Sequence, residues 1–530
     1  MNQSGIVYLI GAGPGDPGLF TLRGAELLRQ AEVVVYDGLV SRELLRLAPA
    51  DAELIFGGKH DRNCAVSQEQ LNAIILAQAR AGRRVVRLKG GDPCVFGRGG
   101  EEAELLAAAG IPFEIVPGVS SVQSVACYAG IPVTHRRHSS QLVVVTGHED
   151  PHSPANRQDW LGLARLSGTL VVLMGLKHLR AIADVLTAHG RPADTPAAVI
   201  SQGTTLRQKT IVGTLSTIAH QVERAGLGAP AILVMGEVVR LRQDLNWFER
   251  RPLFGRRIVV TQRADLAAPL IAALRAEGAE VLPIPATIWG PHRARSPLDR
   301  ALGRLAAYDW IVFSHPLAVN FFFERFLQLH SDWRQLGAAR LGAYGPRTAA
   351  QLRRWRFLPA AVAADHKTPL ILEAIVRAGD VRGKRFLLLR GEEADELVPE
   401  ALAELGATVD VTPAFAVEPA MAPTLESRDF SERGADWIVF ASGLAIQHFH
   451  HRFDLPRLAA AWPDMKLAIA SGTIRWALDE LGLEPSVTSR PDSIQAMVRD
   501  IRRAEESSPI RTGQGREDKK GSRAVAGALA

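Results

Sequence analysis

The sequence predicts an α/β protein in two units, and three observations carry that prediction. Through residues 5–245, β-rich runs alternate with amphipathic helical runs, the rhythm of strands joined by helical crossovers. From Gly255 onward the chain repeats itself at a nearly constant offset. At 530 residues it is also longer than one hydrophobic core supports.

In the first unit, "IVYLIGAG" (Ile6–Gly13) reads as strand then turn. "TLRGAELLRQA" (Thr21–Ala31) places apolar residues at helical spacing, and "EVVVYDG" is a second strand with a helix near Ser41–Leu47. "RRVVRLKGG", "FEIVPG", "LVVVTG", "TLVVLMG", "AAVISQGT" and "AILVMGEVV" follow as strands, several ending in glycine. Such a rhythm predicts largely parallel strands, with ligands outside their carboxyl ends. Residues 246–254, "NWFERRPLF", form a short junction.

The second unit is a duplication. "GRRIVVTQRADLAAPLIAALRAEGAEV" from Gly255 matches "GKRFLLLRGEEADELVPEALAELGATV" from Gly383. "DWIVFSHPLAVNFFFERF" from Asp309 matches "DWIVFASGLAIQHFHHRF" from Asp436, and "LGAYGPRTAAQLRRW" from Leu341 matches "LAIASGTIRWALDEL" from Leu467. The offsets are 128, 127 and 126 residues, too long for a solenoid repeat. Two similar α/β lobes imply a cleft between them. The domains are expected at 1–247 and 253–505, with 506–530, polar and rich in glycine and charge, as a disordered tail.

Composition excludes several classes. Hydrophobic residues make up 47% and charged residues 22%, as in ordinary globular proteins. No apolar run approaches the roughly 20 residues of a membrane span, and "MNQSGIVYLIGAG" has no basic, then apolar, secretory pattern. A cytoplasmic, non-membrane protein is expected. Cys64, Cys94 and Cys127 are too few and scattered for a disulfide framework or zinc site. His448, His450 and His451 fall on a surface helix without a partner cluster, so no metal is expected. The formal charge is +6 and arginine dominates lysine. Arginine forks suit polycarboxylates and phosphates, but no dense basic run appears, and spread over solvated faces is the simpler account. The sparse aromatics do not interleave with basic residues, which argues against nucleic acid.

Two glycine loops stand out. "GAGPGDPG" (Gly11–Gly18) lies between strand and helix, but its spacing is not G-x-G-x-x-G, and Pro14 and Pro17 lack N–H donors for a pyrophosphate. In "VVRLKGGDPCVFGRGGEE" (Val85–Glu102) the glycines admit close backbone approach. Asp92 can accept hydrogen bonds from hydroxyls or an amino group, and Glu101 and Glu102 favour the start of the next helix. A tight turn without a ligand accounts for the tetrapeptide GGDP equally well.

Taken together, "GAGPGDPGLFTLRGAELLRQAEVVVYDGLV", "GGDPCVFGRGGEE", "VPGVSSVQSVACYAGIPVTHR" and "VLMGLK", in that order, resemble uroporphyrinogen-III C-methyltransferase of the tetrapyrrole methylase family, across nearly all of 5–245. The resemblance implies a two-lobed tetrapyrrole methylase fold, typically a homodimer. It implies S-adenosylmethionine as cosubstrate and two methyl transfers to uroporphyrinogen III, giving precorrin-2 for sirohaem or cobalamin. It places Pro14, Gly90, Gly91, Asp92, Val95, Ser120, Ser121, Met174 and Gly203 along the cosubstrate site. Asp37 becomes the proton acceptor and Lys59 the proton donor. On residue type alone, Asp37 could cap a turn, Lys59 could bind a substrate carboxylate, and Met174 would be core. Arg23, Arg98, Arg136 and Arg137 lie near these loops and could receive some of the substrate's carboxylates.

The duplicated unit resembles uroporphyrinogen-III synthase over about 255–503. This implies cofactor-free closure of hydroxymethylbilane, and two lobes joined by crossover strands, the first strand–helix segment packing with the far C-terminal half. Thr348 in "YGPRTA", Ser442 in "FASG" and Thr473 in "SGTIRWAL" would bind substrate; each could instead be a helix N-cap. Two positions depart from the family pattern: Ser314-His315 replaces a Thr-Ser, and Phe415 in "TPAFAVEP" replaces a tyrosine. A second reading makes the C-terminal half a non-catalytic tetrapyrrole-binding module. A third makes it a two-lobed solute sensor, against which the missing secretory pattern speaks.

Overall fold

The computed structural model describes residues 5–58, 67–154, 156–292, 296–364, 368–391, 397–490 and 493–507. The chain divides into two compact units, whose main segments are Met1–Arg257 and Val281–Ala504.

The first unit contains two sheets. β1 (Ile6–Gly11), β2 (Val33–Tyr36), β3 (Glu53–Phe56), β4 (Arg84–Lys89) and β5 (Phe113–Val116) pair entirely in parallel, in the order β3-β2-β4-β1-β5. Alternation along the strands feeds two cores. Val7, Leu9, Val33, Val35 and Val85 meet Leu71, Ile75 and Ala79 of the helix Gln68–Arg80. Ile10, Val34, Val86 and Leu88 meet Leu27, Leu28 and Leu44 on the opposite face. A capping box between Ser67 and Gln70 starts the Gln68–Arg80 helix.

β6 (Leu142–Thr146), β7 (Thr169–Leu173), β8 (Pro196–Ser201), β9 (Lys209–Thr214) and β10 (Ala231–Met235) form the second sheet, ordered β6-β7-β10-β8-β9. Here the expectation of parallel pairing holds only for β6 with β7. β10 lies antiparallel between β7 and β8, and β9 is antiparallel to β8. A parallel neighbour needs a crossover of a dozen or more residues, and the link from β8 to β9, residues 202–208, is too short for one.

The second unit continues with β11 (Arg257–Val260), β12 (Glu280–Pro283), β13 (Thr287–Pro291), β14 (Trp310–Phe313), β15 (Arg340–Ala343) and β16 (Ala361–Val362). It ends with β17 (Arg385–Gly391), β18 (Thr408–Pro419), β19 (Trp437–Phe440), β20 (Lys466–Ile469) and β21 (Val487–Thr488). The sequence repeat is exchanged between its sheets. β11 of the first copy pairs with β19 of the second, and β17 of the second pairs with β14 of the first. The sheets are β12-β11-β19-β20-β21 and β13-β18-β17-β14-β15-β16, and the long β18 crosses with antiparallel β13. The repeated "DWIVF" supplies a buried tryptophan to each lobe, Trp310 and Trp437. Asp309 ahead of Trp310 accepts from the Arg385 N–H (2.9 Å) and Lys384 Nζ (2.9 Å). Those bonds, the backbone one first, hold its carboxyl below the ordinary Asp value. The stability this adds is present above the unfolded-state value and lost as pH falls through the folded one. Asp309→Asn should therefore flatten part of the acid unfolding curve followed by circular dichroism. The effect should be below about 1 kcal/mol, because the pair is solvent-screened. Among the described residues, no helix is long and apolar enough to cross a membrane.

Candidate active site

The parallel sheet of the first unit presents its loops at the carboxyl ends of β1, β2, β4 and β5. Three of them interlock through glycine. The Ala12 N–H donates to the Lys89 carbonyl (2.7 Å), and Gly13 and Gly91 exchange backbone bonds of 3.2 and 2.7 Å. A Cβ on Gly11 would lie 2.5 Å from Gly118 Cα, and one on Gly118 would lie 2.2 Å from the Gly91 carbonyl oxygen. Gly91, at φ +69°, differs: a Cβ there would have only the Ser121 amide nitrogen within 4 Å, at 3.9 Å. The run of two glycines after a buried strand thus allows loop contact and leaves a cradle open.

Asp92 ties this cradle together. Its Oδ1 accepts from the Cys94 N–H (2.8 Å) and its Oδ2 from the Gly118 N–H (3.0 Å). Beyond it, Val95 is exposed, and Phe96 and Arg98 hold positive φ angles of 54° and 60°. Ser120 caps the helix Ser121–Tyr128, its hydroxyl accepting from the Val122 N–H at 3.3 Å.

The second lobe of this unit contributes two strained turns. Met174, after β7, sits at φ +58° with its side chain exposed, although residue type alone would bury it. Gln202 and Thr204, flanking Gly203 after β8, sit at +47° and +64°. Such left-handed non-glycine residues gather at functional sites, and five of the seven in the described residues lie in this unit. Gly203 packs on Val125 of the capped helix, and Gly15 against Thr205. The Asp16 N–H donates to Thr204 Oγ1 (3.1 Å), and the Tyr128 hydroxyl donates to Asp16 Oδ2 (2.8 Å). Burial, then that bond, pushes the Tyr128 hydroxyl above the ordinary tyrosine range. Pro14 lies in the loop that Asp16 thus anchors to both lobes.

Asp37 follows β2. Its Oδ1 accepts from the Leu39 N–H (3.0 Å) and its Oδ2 from the Gly90 N–H (3.4 Å). It therefore both caps its turn and stands beside the cradle. Lys59 lies outside the described residues, as do Cys64 and the tail after Ser507. Arg23 is engaged by Glu114 (2.9 Å at two nitrogens) and Glu26 (3.0 Å), so its guanidinium is held by protein carboxylates.

Sequence reasoning missed a charged group beneath this site. Arg87 and Lys89 on β4 are 4% and 3% exposed, and Glu102 is 2% exposed. Lys89 Nζ lies 2.7 Å and Arg87 Nε 3.4 Å from Glu102 Oε1. Burial pushes the Lys89 ammonium below its ordinary value, and Arg87 adds to that against the pull of Glu102. The available signal was two cations at alternate positions in an otherwise apolar strand. Asp16, Tyr128 and Thr204 were missed as well.

In the second unit, Ser442 caps the helix Gly443–Phe453, accepting from the Ala445 N–H at 3.2 Å. Thr473 Oγ1 lies 2.8 Å from Ser471 Oγ in the turn after β20. Thr348 is fully buried in the helix Gly345–Arg354, and its hydroxyl has no hydrogen-bond partner among the described residues. The two departures from the family pattern come together, with the His315 and Phe415 rings 5.4 Å apart and Trp289 against both. Among the described residues no cluster of three or more His, Cys, Asp or Glu side chains could hold a metal.

The tetrapyrrole (corrin/porphyrin) methylase model matches residues 6–219, and the model of uroporphyrinogen-III synthase HemD matches residues 268–499. A porphyrin biosynthesis protein HemD from Ruminiclostridium josui is 40% identical over 351 residues, 66% of this chain and 69% of that protein. A uroporphyrinogen-III C-methyltransferase from Bacillus subtilis is 38% identical over 372 residues, 70% of this chain and 76% of that one. An S-adenosyl-L-methionine-dependent uroporphyrinogen III methyltransferase from Methanosarcina barkeri is 50% identical over 242 residues, 46% of this chain and 95% of that one. The chain therefore belongs to the tetrapyrrole methylases of the uroporphyrinogen-III C-methyltransferase type, fused to a unit of the uroporphyrinogen-III synthase family.

Proposed function

We propose that this chain performs two consecutive steps of tetrapyrrole synthesis, serving sirohaem or cobalamin formation. Residues 253–505 close hydroxymethylbilane to uroporphyrinogen III, and residues 1–247 methylate that product twice to precorrin-2. The observation that carries the methyltransferase reading is the convergence of the β1, β4 and β5 glycine loops beside Asp37 at one sheet edge. The open side of Gly91 suits an extended nucleoside lying against backbone. S-adenosylmethionine supplies an activated methyl group. Each transfer breaks the methyl–sulfur bond as the methyl–carbon bond forms, and the electron pair goes to sulfur. The chain's work is to hold donor and pyrrole carbon in line, and to remove a proton from the cationic ring. In this reading Asp37, which accepts from the Gly90 N–H, takes that proton, and Lys59 is the donor. A cytoplasmic homodimer formed through the methyltransferase half completes the reading.

Anaerobic incubation with hydroxymethylbilane and S-adenosylmethionine tests both halves, by mass spectrometry and isomer separation. A dimethylated type III product is expected. Phe415, and the buried hydroxyl of Thr348, favour a second reading in which the C-terminal half only binds tetrapyrrole. Exclusive formation of the type I ring, which closes spontaneously, would establish it.

Two variants probe the methyltransferase half. Asp37→Asn should lower kcat by about 100-fold, the usual share of a positioned acid or base, with affinity for S-adenosylhomocysteine retained in calorimetry. Tyr128→Phe removes the bond to Asp16. At about 1.5 kcal/mol for a hydrogen bond to a charged group, it should weaken that affinity roughly tenfold.

A further inference from the structure

β4 lies at the middle of an all-parallel sheet, a position that ordinarily reads as a continuous apolar run. Its alternate residues Val85, Arg87 and Lys89 instead send two cations beneath the helices Gln68–Arg80 and Gly99–Ala108. One carboxylate meets them there. Glu102 Oε1 takes Lys89 Nζ (2.7 Å), Gln68 Nε2 (3.0 Å) and Arg87 Nε (3.4 Å), while Oε2 has no hydrogen-bond partner among the described residues. Arg87 Nη1 donates to the carbonyls of Val35 (3.4 Å) and Leu88 (3.3 Å), which fixes the guanidinium plane. Its Nη2 then lies 3.9 Å from Asp37 Oδ2. Two cations and two carboxylates form one set, in which Arg87, Lys89 and Glu102 are buried and Asp37, with its side chain 27% exposed, reaches the loop edge. Apolar residues of similar volume would stabilise such a core at least as well, so stability alone does not account for the set.

We infer that Arg87 is a positioning residue for Asp37. Its guanidinium, immobilised by Glu102 and two carbonyls, fixes where the Asp37 carboxylate stands relative to the Gly90–Gly91 cradle. This deepens the reading of Asp37 as proton acceptor and rests on it.

The test is a double-mutant cycle in the full-length protein, measuring kcat and KM for S-adenosylmethionine and uroporphyrinogen III. Arg87→Met should lower kcat by about 100-fold, the order of loss that a misplacement of about 1 Å produces, with KM for S-adenosylmethionine within twofold. Arg87→Lys keeps a cation for Glu102 but not the fork, and should recover part of kcat. It also serves if Arg87→Met does not fold. Adding Arg87→Met, or Arg87→Lys, to Asp37→Asn should change kcat little further, because coupled residues are not additive. Additive losses, or parental kcat in the Arg87 variants alongside an inactive Asp37→Asn, would overturn the inference. An Asp37→Asn variant at parental activity would remove the reading beneath it instead, whatever the Arg87 variants do.

Discussion

Gly118→Ala should abolish measurable S-adenosylhomocysteine binding while leaving the protein folded. The added Cβ would lie 2.2 Å from the Gly91 carbonyl oxygen and 2.7 Å from Gly11 Cα. Both obstacles are backbone, so no rotamer change relieves them, and one of the three loops must move. Any such move strains the Gly13–Gly91 pair or pulls the Gly118 N–H from Asp92. Overpacking of this kind costs about 1–3 kcal/mol, enough to open a loop but small beside a domain's stability. Isothermal calorimetry on the variant measures the loss. Gly100→Ala is the control: no atom lies within 4 Å of its Cβ, and the residue is on the exposed face of the helix Gly99–Ala108. Binding there should be parental, with a gain of about 0.5–1 kcal/mol in helix stability. Parental binding in Gly118→Ala would mean the interlocked loops are not the cosubstrate cradle.

This contrast shows what the sequence made legible. Glycine after a strand announces close approach, and the loops "GAGPG" and "GGDP" do meet, with Gly13 and Gly91 exchanging backbone bonds. Which glycine touches which could not be read, because Gly11, Gly91 and Gly118 meet only after three strands pair. The same limit explains β9 and β10. Alternating strand and helix patterns carry no direction, and the short β8–β9 link was the one local sign of antiparallel pairing. In the second unit the repeat identified equivalent strands. Their exchange between sheets came from the family resemblance, since equivalence in sequence does not say which copy pairs with which. Asp37 came from the family resemblance, since a carboxylate that ends a strand beside a glycine also reads as a turn cap, and it does cap one here. Glu102 was legible only in part: it does open the helix with Glu101, as its charge suits, but only the tertiary fold turns it inward onto Arg87 and Lys89.

Glu102 therefore carries the largest expected effect on stability. Glu102→Ala leaves two cations in the sheet interior, with Asp37 as the remaining carboxylate, 3.9 Å from Arg87. Removing one partner of a buried ionic set costs about 3–5 kcal/mol. Hydrogen exchange on the intact protein should show it as lost protection of the β4 amides, with the second unit's strands unchanged. Replacing Arg87, Lys89 and Glu102 together by leucine removes the unpaired charges, and should restore most of that protection. It should not restore methyl transfer, because Asp37 then has no fixed guanidinium beside it. If the triple variant were fully active, the buried charges would be a matter of folding alone. Protection without activity would separate the two roles: Glu102 keeps the cations compatible with a core, and the cations are there for the carboxylate at the edge.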